Sequence, residues 1–146
     1  MSIPQAPCNG PARADQAEAL TGLRAIRDRI SLLADEREKI LVATVDEITR
    51  RSQSEDVIRT LLPEAGISRN TYYPRRNSRP AARSVHPSQT SLSELKHRRR
   101  RLETQIESAT ADRNRALRCA EGIETAALAA AAGVTETWVR LLRRSG

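Results

Sequence analysis

Apolar residues recur at helical spacing over most of this chain. Between Ala14 and Arg51, Leu20, Leu23, Ile26, Ile30 and Leu33 follow three- and four-residue steps. Arg37 interrupts the stripe, and Ile40, Leu41, Val45 and Ile48 resume it on a shifted phase. The pattern predicts one amphipathic helix with a phase shift, or two helices meeting near Asp35. Gly22 weakens the pattern near its start. Ser52 to Glu55 reads SQSE, a capping box in which the Ser hydroxyl caps the amide three residues on and the Glu reaches back. A new helix is expected there, carrying Val57, Ile58, Leu61 and Leu62 and ended or kinked by Pro63.

From Pro74 to Thr90 the periodicity stops. Pro74, Pro80 and Pro87 alternate with Asn, Ser and Arg, and no carboxylate occurs between Glu64 and Glu94. This reads as an extended, solvated linker. A second capping box, SLSE at Ser91 to Glu94, opens the most regular segment of the chain. Leu92, Leu95, Arg99, Leu102, Ile106, Ala109, Arg113, Ala116 and Ala120 alternate three- and four-residue steps, a heptad seam carrying two charged residues. Gly122 offers a helix stop, and Gly122–Arg144 then repeats the earlier order of helix, turn and helix. The expected organisation is a disordered tail (1–13), a helical domain (14–73), a basic linker (74–90) and a heptad helix with its own helix pair (91–146).

Composition narrows the class. Phe is absent and Trp and Tyr together number three, so a large aromatic core is impossible. No run of alternating β-branched residues suggests a sheet. The fold class expected is all-α, with long coiled-coil-like helices joined to two helix-turn-helix units. The formal net charge is +7, and Lys occurs only at positions 39 and 96, so nearly every cation is Arg. Arg forks match phosphate and guanine geometry, which points to nucleic acid or another anionic surface. Cys8 and Cys119 lie far apart with no ligand spacing, so no disulfide framework is expected and a reducing cytoplasm is the default. No apolar run approaches the roughly 20 residues of a membrane span.

Two segments carry candidate chemistry. In GIETAALAAAAGVTETWVRLLRR, Leu128 and Ala129 stand on a first helix, Ala132 and Gly133 form the turn, Val134 tucks inward, and Thr135 caps a second helix whose Val139 and Leu142 face the core. This resembles the bacterial helix-turn-helix superfamily, in which the second helix enters the major groove. The resemblance implies that Glu136, Thr137 and Arg140 face bases, while Arg143 and Arg144 grip phosphate. Trp138 sits where a small residue is common, and packs into a core or interface or stacks on a base.

Upstream, LLPEAGISRNTYYPRR places Leu61, Leu62, Ala65, Gly66, Ile67, Ser68, Thr71 and Tyr72 in the corresponding positions. The stretch AGISRNTYY is similar to the second-helix signature of TetR-type regulators. That resemblance implies Ser68 as an N-cap aimed at a phosphate, with Arg69, Asn70 and Tyr73 facing the groove. Pro74 biases Tyr73 away from helical geometry, so a short helix over Ser68–Tyr73 is expected. Arg75, Arg76, Arg79 and Arg83 then form a basic arm suited to a minor groove. The Arg run at Lys96–Arg101 reads as a solvated face or as a contact for a polyanion. The order of long helix, helix-turn-helix and heptad helix also resembles the accessory proteins of site-specific transposons over Leu20–Cys119.

Enzyme chemistry finds no support. His86 and His97 lack Asp or Cys partners at useful spacing, Asp28, Asp35, Glu36 and Glu38 alternate with Arg as ion-paired surface, and no phosphate-cradling Gly loop or metal signature occurs. The expectation is therefore a non-enzymatic, cytoplasmic, nucleoid-associated protein without cofactor or membrane contact. It is expected to bind double-stranded DNA sequence-specifically as a homodimer through a helical seam, and to act as a small transcriptional regulator or mobile-element accessory factor. The alternative is a coiled-coil interaction module in which Arg99 and Arg113 pair with acidic residues of another chain.

Overall fold

The computed structural model describes residues 13–52, 54–78 and 91–145, which form six α-helices and no strand. They are α1 (Arg13–Arg51), α2 (Glu55–Ala65), α3 (Arg69–Ser78), α4 (Leu92–Cys119), α5 (Thr125–Ala132) and α6 (Glu136–Arg144). The all-α class is thus established for the described residues. The expected tail and most of the expected linker (79–90, with Arg79 and Arg83) lie outside them.

The helices are grouped into two compact units that are nested along the chain. One unit contains α1 through Leu32 together with α4 from Ile106, α5 and α6; the other contains the described residues between Leu33 and Gln105. In the first, Leu23, Leu117, Ile123, Leu128, Val139 and Leu142 form a core with the buried alanines of α5. Alanine is the strongest helix former and lets backbones approach closely, so α5 packs through Ala129, Ala131 and Ala132. In the second, Leu41, Val45 and Ile48 of α1 meet Ile58 and Leu62 of α2, Tyr72 of α3, and Leu92 and Leu95 of α4. Tyr72 is fully buried, and its hydroxyl lies 2.9 Å from the Thr49 hydroxyl.

Several local expectations are decided by these contacts. α1 is one continuous helix. Ala34 to Lys39 contains no Gly or Pro and is rich in helix formers, so the backbone crosses the interrupted stripe unbroken. The first capping box does not form. The Ser52 hydroxyl donates back to the Ile48 carbonyl and closes α1, Ser54 takes the N-cap position of α2 in extended geometry without a side-chain cap bond, and the Glu55 carboxylate is engaged by Tyr73. The second box forms by half, with the Glu94 amide donating to the Ser91 hydroxyl at 3.1 Å.

Pro63 does not end its helix at once, and Pro74 does not end its helix at all. α2 continues past Pro63 to Ala65, because only its last turn follows the missing amide. α3 runs through Pro74 to Ser78, so the predicted stop at Tyr73 and the linker start at Pro74 are both corrected. Pro74 leaves the Asn70 carbonyl without its helical donor, and Arg75 ties the following turn by donating to the Thr71 carbonyl at 3.0 Å and by clamping Glu38 on α1. The heptad stripe of α4 is also used within the chain, Leu92 and Leu95 in one core and Ala116 packed against the other. Cys119 is disulfide-bonded, contrary to expectation.

Candidate nucleic-acid interface

The corner between α2 and α3 is built backbone first. Gly66 has φ +66°, the left-handed geometry that side chains disfavour, and it lets the chain reverse within three residues. The Ile67 amide then donates to the Leu62 carbonyl at 3.2 Å, and buried Ile67 anchors the turn. Ser68 caps α3, accepting from the Thr71 amide at 3.3 Å. Arg99, on the α4 seam, is 6% exposed and closes the corner from behind. Its guanidinium donates to the Ala65 carbonyl at 3.4 Å and the Gly66 carbonyl at 2.8 Å, and its Nε lies 3.3 Å from Glu103. Arg99 therefore pairs inside the chain, not with another chain as the interaction-module reading expects. Arg113 is half-buried and bonds Asn114, and burial pulls its pKa down.

The predicted DNA-facing residues of this corner separate into two groups. Ser68, Arg69 and Asn70 are exposed at the start of α3. Arg69 and Asn70 line both of two open depressions. One, of about 520 Å³, continues along Arg59, Leu62 and Pro63; the other, of about 570 Å³, continues along Tyr73, Pro74 and Asn77. Asn77 belongs to this face and was hidden at sequence level because α3 was expected to end before it. The second group is partly exposed but tied to carboxylates of the same chain. Arg75 forms a two-pronged ion pair with Glu38, at 2.9 and 2.8 Å. That pairing holds the Glu38 carboxyl below its ordinary pKa. The Tyr73 hydroxyl donates to Glu55 at 2.5 Å, an acceptor that raises the phenol pKa and lowers that of Glu55. Arg76 lies over the Tyr73 ring at 5.8 Å and also pairs with Glu55 at 3.5 Å. Arg75 and Arg76 thus sit in a helix as internal ties, where a freely extended arm was expected.

The corner between α5 and α6 repeats the backbone plan. Gly133 has φ +71°, the Val134 amide donates to the Ala129 carbonyl at 3.0 Å, and the Thr135 hydroxyl caps the Trp138 amide at 3.1 Å. Arg27 of α1 donates to the Ala130 carbonyl at 3.2 Å. Glu136, Thr137, Arg140 and Arg144 are exposed, whereas Arg143 is half-buried and donates to the Ala120 carbonyl. Trp138 is 39% exposed and Leu141 51% exposed, so Trp138 is not a core residue and α6 presents an apolar pair beside its cations.

No protein-family model, curated protein or solved structure matches this chain. The geometry of the two corners therefore carries the functional argument. Among the described residues no group of three or more His, Cys, Asp or Glu is placed to hold a metal ion, and no helix is long and apolar enough to cross a membrane.

Proposed function

We propose that the chain binds double-stranded DNA sequence-specifically, with α2–α3 and α5–α6 acting as helix-turn-helix units and α3 as the principal reading helix. One observation carries this reading: Arg69 and Asn70 stand exposed on the first turn of α3, Arg69 beside the Tyr73 hydroxyl, while Arg75 and Arg99 are tied within the chain. Arg suits guanine and Asn suits adenine in the major groove, and a rigid scaffold lets them discriminate. Ser68 and the first-turn amides of α3 suit a flanking phosphate. The role proposed is that of a small transcriptional regulator or mobile-element accessory factor, non-enzymatic, cytoplasmic and nucleoid-associated.

Homodimerisation belongs to the same proposal. Leu92 and Leu95 are already buried in one chain, so a dimer contact would fall on the apolar side chains left outside, such as Leu32 on α1 or Trp138 and Leu141 on α6. That exposed pair also favours a second reading for α6, as a protein-contact helix rather than a base reader. Selection of bound duplexes from random DNA, followed by fluorescence anisotropy, tests the primary reading. A consensus should emerge, and affinity should fall about 10³-fold or more between 50 and 200 mM salt if six or more phosphates are contacted. Absence of duplex binding at low salt contradicts it.

A further inference from the structure

The Arg run at the start of α4 divides by direction. Arg99 turns inward to the corner, and the Lys96 side chain lies against Gly66, where an added Cβ would meet its Cε at 3.0 Å. His97, Arg100 and Arg101 stay exposed. Arg100 lines a cleft of about 570 Å³ together with Arg37 of α1, Ser68 and Thr71. Within that cleft the charges are unevenly matched. Arg75 pairs with Glu38 and Arg99 with Glu103, whereas the guanidinium groups of Arg37 and Arg100 make no hydrogen bond or ion pair among the described residues. Both guanidinium groups thus stand beside the Ser68 hydroxyl without a direct hydrogen-bond or ion-pair partner, although Arg37 is near enough to Glu38 to help hold its pKa down.

This cleft adjoins its neighbours at shared residues. Ser68 also lines the depression that contains Arg69 and Asn70. Arg100 also lines a depression of about 440 Å³ with His97, Arg101 and Thr104. Three neighbouring depressions thus follow one another from the front of α3, past Ser68 and the Arg37–Arg100 cleft, to Arg101, and together they outline a furrow. We infer that this furrow holds successive backbone phosphates of one DNA strand beside the segment read by α3, with Arg37 and Arg100 as the central phosphate contacts. Exposed guanidinium groups without direct ion-pair partners match phosphodiester oxygens, and a row of open depressions suits a strand better than an enclosed small molecule. The inference rests on the DNA-binding reading proposed above and assigns a strand path that neither corner alone supplies.

The test is the salt dependence of duplex binding by the full chain. Each phosphate contact contributes about 0.9 to the slope of log affinity against log salt. Arg37→Ala combined with Arg100→Ala should reduce that slope by about 2, equally on a selected site and on random duplex, without altering the selected consensus. Arg24→Ala with Arg29→Ala, on the exposed surface of α1, removes the same charge elsewhere and should leave the slope unchanged. Circular dichroism melts verify that both double variants fold. A slope unaffected by the Arg37 and Arg100 changes, or lowered equally by the control pair, overturns the furrow while leaving DNA binding intact. Wild-type protein that binds no duplex overturns the underlying reading as well.

Discussion

The two helix corners share a frame and differ in what they fill it with. Gly66 and Gly133 make the same left-handed turn, Ile67 and Val134 donate to the equivalent carbonyls of Leu62 and Ala129, and Ser68 and Thr135 supply the caps. Tyr72 and Val139 are each the fourth residue of the second helix, and both are fully buried. An Arg from another helix grips the carbonyls at the turn in both, Arg99 in one and Arg27 in the other. Outward, the corners diverge. Where α3 opens on Arg69 and Asn70, α6 opens on Glu136 and Thr137. Where α3 has Pro74, α6 has exposed Leu141. The comparison separates the residues that make a corner from the residues that give it a partner.

The single Trp and both Tyr residues lie in different compact units, so urea unfolding can follow each corner by its own fluorescence. The largest contrast is expected in the core. Tyr72→Ala should cost about 3–5 kcal/mol, because it empties a fully buried aromatic site and removes the partner of the Thr49 hydroxyl. Val139→Ala should cost about 2 kcal/mol, in proportion to its smaller buried surface. Equal losses would mean that the two corners do not depend on their fourth residue in proportion to its size.

The gripping Arg residues come next. Arg99→Ala should destabilise by about 2–3 kcal/mol, since it strips charged donors from buried carbonyls. Arg27→Ala should cost less than about 1 kcal/mol, since its side chain is 42% exposed and water can replace it. A reversal of that order would show that burial does not set the strength of these ties.

The smallest effect is a pH dependence with no equivalent on α6. Arg75 lowers the pKa of Glu38 in the folded state, so the pair contributes stability above the unfolded carboxylate value near 4.5 and loses it as pH falls through the lower folded value. Glu38 is half-exposed, so solvent screening limits the contribution to about 0.5 kcal/mol. The stability difference between wild type and Glu38→Gln should be present at pH 6 and shrink progressively as pH falls below the unfolded value. A difference that stays constant over that range contradicts the assignment.

What could be read in the sequence follows from the range of the interactions involved. The α5–α6 corner was legible because its signals are local: a glycine turn, a hydroxyl cap, and apolar residues at helical spacing in Leu128, Val139 and Leu142. The α3 helix was misread because Pro74 is a local stop signal, while the ties that carry the helix past it come from Glu38 and Glu55, each far away in sequence. For the same reason Asn77 could not be placed beside Asn70, and Arg75 and Arg76 could not be recognised as internal ties. Arg99 was visible as a charge on an apolar seam, but its partners, two carbonyls on another helix, carry no side-chain signature. The nesting of the two units has no local trace either, because it pairs the first part of α1 with the last part of α4.

The measurement that tests the central claim most directly compares specific and random duplexes by anisotropy for two paired variants. Arg69→Ala with Asn70→Ala should weaken a selected site by about 10²-fold or more while weakening random duplex far less, at roughly 1–3 kcal/mol of discrimination per lost base contact. Thr137→Ala with Arg140→Ala should reduce specificity too if α6 reads bases, and by less. An equal loss on selected and random DNA for the Arg69 and Asn70 pair would contradict the assignment of α3 as the reading helix.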